Sequence, residues 1–132
     1  MSNSYVMDAC ALLALLNNED GADREAMSEN VEVYMNKINI FEIYYGVYRA
    51  EGELKAEEVY RRILRTPIKV IETFDHKVFR VAGKLKSKYR MSLADSIALG
   101  EAVVRNAAVL SSDHHEFDVI EKQESIKFNW IR

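Results

Sequence analysis

Four acidic residues in this 132-residue chain occupy places where a carboxylate can take part in chemistry. Asp8 ends the apolar run Ser4-Tyr5-Val6-Met7 and is followed at once by the helix-forming stretch that begins at Ala9. Asp113 stands in a similar relation to Ala107-Ala108-Val109-Leu110, with Ser111 and Ser112 between. Glu42 and Asp95 each fall three residues after a capping-type residue, in Asn39-Ile40-Phe41-Glu42 and Ser92-Leu93-Ala94-Asp95. Carboxylates gathered within a few ångströms raise one another's pKa unless a cation joins them. A hard divalent ion, Mg2+ or Mn2+, suits such an all-oxygen set and keeps several of its own waters. That arrangement can hydrolyse a phosphodiester through an activated water. No Ser or Cys flanked by His offers a covalent route instead.

Each acid also has a local explanation. Asp8 can cap a helix, Glu42 can be the third residue of a capping box begun by Asn39, Asp95 can partner Ser92 in the same way, and Asp113 can form an Asx turn. The helix dipole favours acids at such positions by about 0.3–1 kcal/mol each. For any one residue the local reading is the stronger. The set of four, two at strand ends and two in first turns, is what points to a shared pocket.

The elements that must position these acids follow from the apolar patterning. Strands are expected at Ser4–Met7, Val31–Tyr34, Ile68–Ile71, Ala107–Leu110 and near Lys127–Ile131. Between them, helices are expected at Ala9–Asn18, Ala22–Glu29, Ile40–Ala50 closed by Gly52, Leu54–Arg65 ending before Pro67, His76–Tyr89 capped by Asp75, and from Ser92 to about Arg105. The stretch through Asp118 reads as a loop or short helical turn. Strands alternating with helices predict an α/β sandwich about a mostly parallel sheet, as one domain over residues 1–132. Ligands of such sheets bind beyond the carboxyl ends of the strands, which is where Asp8 and Asp113 fall. Glu42 and Asp95, near helix starts, can face the same edge if the connections are right-handed.

Composition sets bounds on this reading. With 48% hydrophobic and 30% charged residues, one Pro and five Gly, the chain has the make-up of a compact globular domain. The lone Cys10 excludes an intramolecular disulfide, and no Cys/His cluster suggests zinc, so a reducing cytoplasm is the simplest compartment. There is no signal-like leader and no apolar run approaching the ~18 residues of a membrane helix. A formal charge of −3 gives no overall support for nucleic-acid binding, so contact with phosphates must come from a local basic patch or a bound cation.

Taken together, Tyr5-Val6-Met7-Asp8 before a Leu-rich helix, Asn39-Ile40-Phe41-Glu42 with Gly46 four residues on, Ser92-Leu93-Ala94-Asp95 and Val109-Leu110-Ser111-Ser112-Asp113 resemble the PIN-domain family over nearly the whole chain. Within it, size and order are most similar to the VapC-type toxin ribonucleases. The resemblance implies a three-layer α/β/α sandwich with a central sheet of four to five strands. It also implies an Mg2+- or Mn2+-dependent endoribonuclease with Asp8, Glu42, Asp95 and Asp113 at the acidic positions. Ser111 matches a small hydroxyl residue that steadies the pocket, and Asp118, with Glu116 as the competing choice, matches a further acid. Asn39 stands where relatives often carry Ser or Thr. His114 and His115 read as a solvated loop pair beside the pocket.

For the RNA substrate, Arg49, Lys88 and Arg90 are the candidate phosphate contacts, while Arg61, Arg62 and Arg65 line a polar helix. Tyr44, Tyr45 and Tyr48 can stack on bases but at helical spacing also suit a core or an interface. The resemblance further implies a homodimer and a small antitoxin protein whose C-terminal segment covers the acidic groove. The docking face is expected on the exposed part of Ile43, Tyr44, Val47 and Tyr48, with the polar helix after Gly52. Two rival readings are a PIN-like RNA- or protein-binding module without catalysis and a Mg2+-dependent phosphoryl-accepting domain or phosphatase. The second lacks the late-strand Lys it would need and fits the spacing of Glu42 poorly. Which RNA is cut is not written in any short motif.

Overall fold

Alternation along the first strand sends neighbouring side chains into two separate cores, and the fold is built on that division. A computed structural model describes residues 3–17, 31–111 and 114–130. In chain order the elements are β1 (Asn3–Met7), α1 (Ala9–Leu16), β2 (Val31–Asn36), α2 (Lys37–Glu51), α3 (Glu53–Leu64), β3 (Lys69–Ile71), α4 (His76–Lys88), α5 (Leu93–Arg105), β4 (Ala108–Ser111), α6 (His114–Gln123) and β5 (Phe128–Trp130). The helix expected at Ala22–Glu29 and the acid Asp113 lie outside the described residues.

The five strands form one sheet in the order β3-β2-β1-β4-β5, and every pairing is parallel. Met7 of β1 packs with Leu12, Leu15, Ile40, Ile43 and Ile63, so α1, α2 and α3 cover one face. Val6 packs with Leu85, Leu99, Val109, Phe117 and Ile120, so α4, α5 and α6 cover the other. The result is the expected three-layer α/β/α sandwich. A sheet buried on both faces explains why its central strands are nearly continuous apolar runs.

Local chemistry fixes where the helices start. Asp75 Oδ1 accepts from Val78 N at 3.0 Å and Ser92 Oγ accepts from Asp95 N at 3.0 Å, capping α4 and α5 as expected. Gly52, at φ 91°, ends α2 and begins α3 in a conformation that favours glycine. At Gly100 the reason for glycine is space: a Cβ would lie 3.2 Å from both Cγ1 and the carbonyl oxygen of Val78, so its absence lets α4 and α5 pack closely.

Two expectations are corrected. The cap of α2 is Asn36, whose Oδ1 accepts from Ile38 N at 2.9 Å, and not Asn39. Strand β2 runs two residues further than its alternation suggested, so the helix begins a turn earlier and Asn39 and Glu42 fall inside it. The stretch after Asp113, expected as a loop or short helical turn, is a ten-residue helix, because Phe117 and Ile120 are both fully buried on one helical face.

Candidate active site

Strand order reverses direction between β1 and β4, so the crevice beyond their carboxyl ends is the topological switch point of the sheet. Asp8 sits at its base, only 1% exposed. Its Oδ1 accepts from Ala11 N at 2.8 Å, capping α1, and its Oδ2 accepts from the Ser111 hydroxyl at 2.5 Å. Asp8 N also donates to Leu110 O at 3.3 Å, which continues the β1–β4 pairing past its last strand residue. The carboxylate is thus both a helix cap and a group fixed across two strands.

Glu42 lies on α2, on the wall of a groove shared with α1 and lined also by Ala9, Cys10, Leu13 and Gly46. Its residue surface is exposed, but partial desolvation of the carboxyl pushes it above the usual carboxylate range. Asp95 is in the first turn of α5, partly buried, with its amide held by Ser92. Asn39, one helical turn before Glu42, is fully buried and donates from Nδ2 to Ala94 O at 2.9 Å, tying the start of α2 to the start of α5. The helices that carry Glu42 and Asp95 are therefore joined beside these acids. Among the described residues, no three Asp, Glu, His or Cys side chains are grouped closely enough to hold a metal ion. The expected fourth acid, Asp113, is not among them.

The sequence pattern of the PIN domain matches residues 5–123. The chain belongs to the PIN-domain family. No curated relative matches this PIN domain, but solved structures share its fold. It is similar to DNA-bound VapBC from Salmonella typhimurium, with a TM-score of 0.76 at 16% identity over 100% of both chains. It is similar to VapBC2 from Rickettsia felis bound to a promoter DNA fragment, at 0.75 and 16% identity over 96% and 97% of the chains. It is also similar to VapC20 of Mycobacterium tuberculosis, described as a sarcin-ricin loop cleaving toxin, at 0.62 and 17% identity over 81% and 86%. At these identities the likeness is one of fold.

The remaining sequence candidates are spread more widely over this PIN domain. Asp118 is exposed on α6, and the side chains of His114, His115 and Glu116 lie outside the described residues. Arg49 donates to the Tyr45 hydroxyl at 3.1 Å near the far end of α2, and Arg90 is exposed. Lys88 is turned to Glu124, at 2.9 Å, just past the end of α6 that leads away from β4. Arg62 donates to Leu16 O at 2.7 Å, linking α3 to the end of α1. Ile43 faces the core, so the docking face expected on it is redrawn: the exposed aromatics of α2 are Phe41, Tyr45 and Tyr48, while Tyr44 donates to Glu57 on α3.

Two buried residues near the pocket escaped the sequence reading. Glu101 on α5, 2% exposed, accepts from Asn36 Nδ2 at 2.7 Å and from Arg105 Nε at 3.3 Å. The Arg105 guanidinium in turn lies 4.6 Å from the centre of the Tyr34 ring. Asn36 thus caps α2 with its oxygen and holds α5 with its nitrogen. The signal for Glu101 is present in the sequence, as the single acid in the apolar run Ile97–Val103 with Arg105 four residues on.

Proposed function

We propose that this PIN domain is a divalent-metal-dependent endoribonuclease and the toxin member of a VapBC-type pair. The observation that carries the reading is the fixing of the Asp8 carboxylate by Ser111 at the switch point of the sheet. The helices bearing Glu42 and Asp95 are joined by Asn39 at the same edge. The donor chemistry fits a hard cation, because the candidate ligands are all carboxylates. Asp8, Glu42, Asp95 and Asp113 would hold Mg2+ or Mn2+, with Asp118 at the periphery.

Bound there, such an ion supplies a polarised water and neutralises charge on the phosphate and the leaving oxygen. The chain's own groups do the rest. Ser111 and Ala11 N hold both Asp8 oxygens in a fixed orientation. Glu42, on the wall of the groove between α1 and α2, would help to position that water. Arg49 and Arg90 are the candidate contacts for RNA phosphates, and the aromatic face of α2 is the candidate surface for an antitoxin or a second copy of the chain. The fold likeness to VapBC assemblies supports a small protein partner. The second reading is a binding module without catalysis.

Cleavage of a set of structured RNAs with and without Mn2+ or Mg2+, beside Asp95→Asn, separates the two. Metal-dependent cutting that vanishes in the variant is expected. Binding of RNA without cutting, by protein that calorimetry shows to be metal-loaded, would favour the binding module.

A further inference from the structure

Among the described residues, one buried side-chain polar atom has no hydrogen-bond partner: Oδ1 of Asn39, on a residue that is fully buried. The orientation of this amide is not arbitrary. Ala94 O accepts a hydrogen bond, so the group facing it at 2.9 Å is the Nδ2 donor, and turning the amide over would set two oxygens against each other. The oxygen is therefore directed away from Ala94 by the same bond that ties α2 to α5. An acceptor left unsatisfied in a protein interior is costly. An apolar residue of similar shape would avoid that cost, and Asn39 sits one turn from Glu42 and against the residue preceding Asp95.

We infer that Asn39 is a positioning residue whose Oδ1 accepts a hydrogen bond from a water in the hydration shell of the cation held by the acidic pocket. This rests on the metal-site reading given above and adds a specific role to it. A hard divalent ion retains several waters, each a strong donor, and they need acceptors with fixed places. Asn39 provides a neutral one, which orients a water without adding to the negative charge already gathered there. Its nitrogen holds the frame and its oxygen holds the solvent.

The two halves of the amide predict opposite consequences in two variants. Asn39→Leu removes the unpartnered acceptor along with the Ala94 bond. It is expected to weaken Mn2+ binding, measured by calorimetry on the intact chain, about tenfold. The melting temperature of the metal-free protein should stay within a few degrees. Asn39→Asp keeps an acceptor but faces Ala94 O with an oxygen. It is expected to lower the metal-free melting temperature while leaving Mn2+ affinity equal or tighter. A purely structural asparagine would move both readouts together in each variant, and that result would overturn the inference, as would unchanged Mn2+ affinity in Asn39→Leu. If Asn39→Leu does not fold, Asn39→Asp decides alone: affinity falling in step with stability overturns the proposal. Failure of the parent reading looks different, because the unmodified chain and Asp8→Asn would then both leave Mn2+ unbound.

Discussion

Asp8 and Glu101 are both buried carboxylates, 1% and 2% exposed, but the fold holds them by different means. Glu101 meets a cation and an amide, Arg105 and Asn36, and its charge is balanced inside the protein. Asp8, at the base of the crevice beyond two parallel strands, accepts from a backbone amide and from a hydroxyl. An internal ion pair joins elements, here α5 to the start of α2. At Asp8 the described bonds instead orient a carboxylate at the switch point of the sheet. The comparison teaches that burial alone does not separate a candidate site acid from a structural one; its place in the topology does.

The strongest test of that contrast is Asp8→Asn. The substitution keeps an oxygen for Ala11 N, and the Ser111 hydroxyl can turn to accept from the new amide, so stability should change by no more than about 1 kcal/mol. RNA cleavage and Mn2+ binding should nevertheless be abolished. Persistence of both would make Asp8 a cap of the same kind as Asp75. Glu101→Leu should show the reverse pattern, losing about 2–4 kcal/mol in chemical denaturation because Arg105 and Asn36 lose their shared partner. Its folded fraction should still cut RNA.

A finer test is Ser111→Ala. Removing the hydroxyl that orients Asp8 should cost about 1–2 kcal/mol and weaken Mn2+ binding about tenfold, with both seen in the same calorimetric series. The smallest effect concerns Glu42. Its carboxyl is raised above the ordinary value of 4.5 by desolvation, so the folded protein binds its proton more tightly than the unfolded chain. Stability from this group is present below pH 4.5 and is lost as pH rises through the folded value. Metal-free protein should therefore lose a little stability relative to Glu42→Gln across that interval, an effect kept small by the exposure of the residue.

Much of the frame could be read from local sequence. The apolar runs gave the strands, Asp75 and Ser92 gave helix starts, and Gly52 gave a helix end, because each signal is complete within a few residues. Asn36 and Asn39 show where such reading fails. Both are good caps three residues apart, and only tertiary contacts with Glu101 and Ala94 decide that one caps while the other is buried. Helix α6 reads from the sequence only as a loop or short helical turn because its polar start, His114-His115-Glu116, hides the Phe117 and Ile120 spacing behind it. At the pocket, family likeness implied a steadying hydroxyl at Ser111 without naming its partner, and in the structure that hydroxyl donates to Asp8. The position of Asp113 relative to that bond lies beyond the described residues.

The bond between Ser111 and Asp8 also has a consequence for the order of events in synthesis. Its partners are 103 residues apart in the chain, and β1 reaches β4 only after the intervening helices are made. Pairings of such sequence separation form late and slowly. A growing chain on the ribosome therefore carries Asp8 from the outset yet lacks the strand that orients it until synthesis has passed Ser111. If the domain cuts RNA, that delay keeps the nascent polypeptide harmless to the machinery producing it.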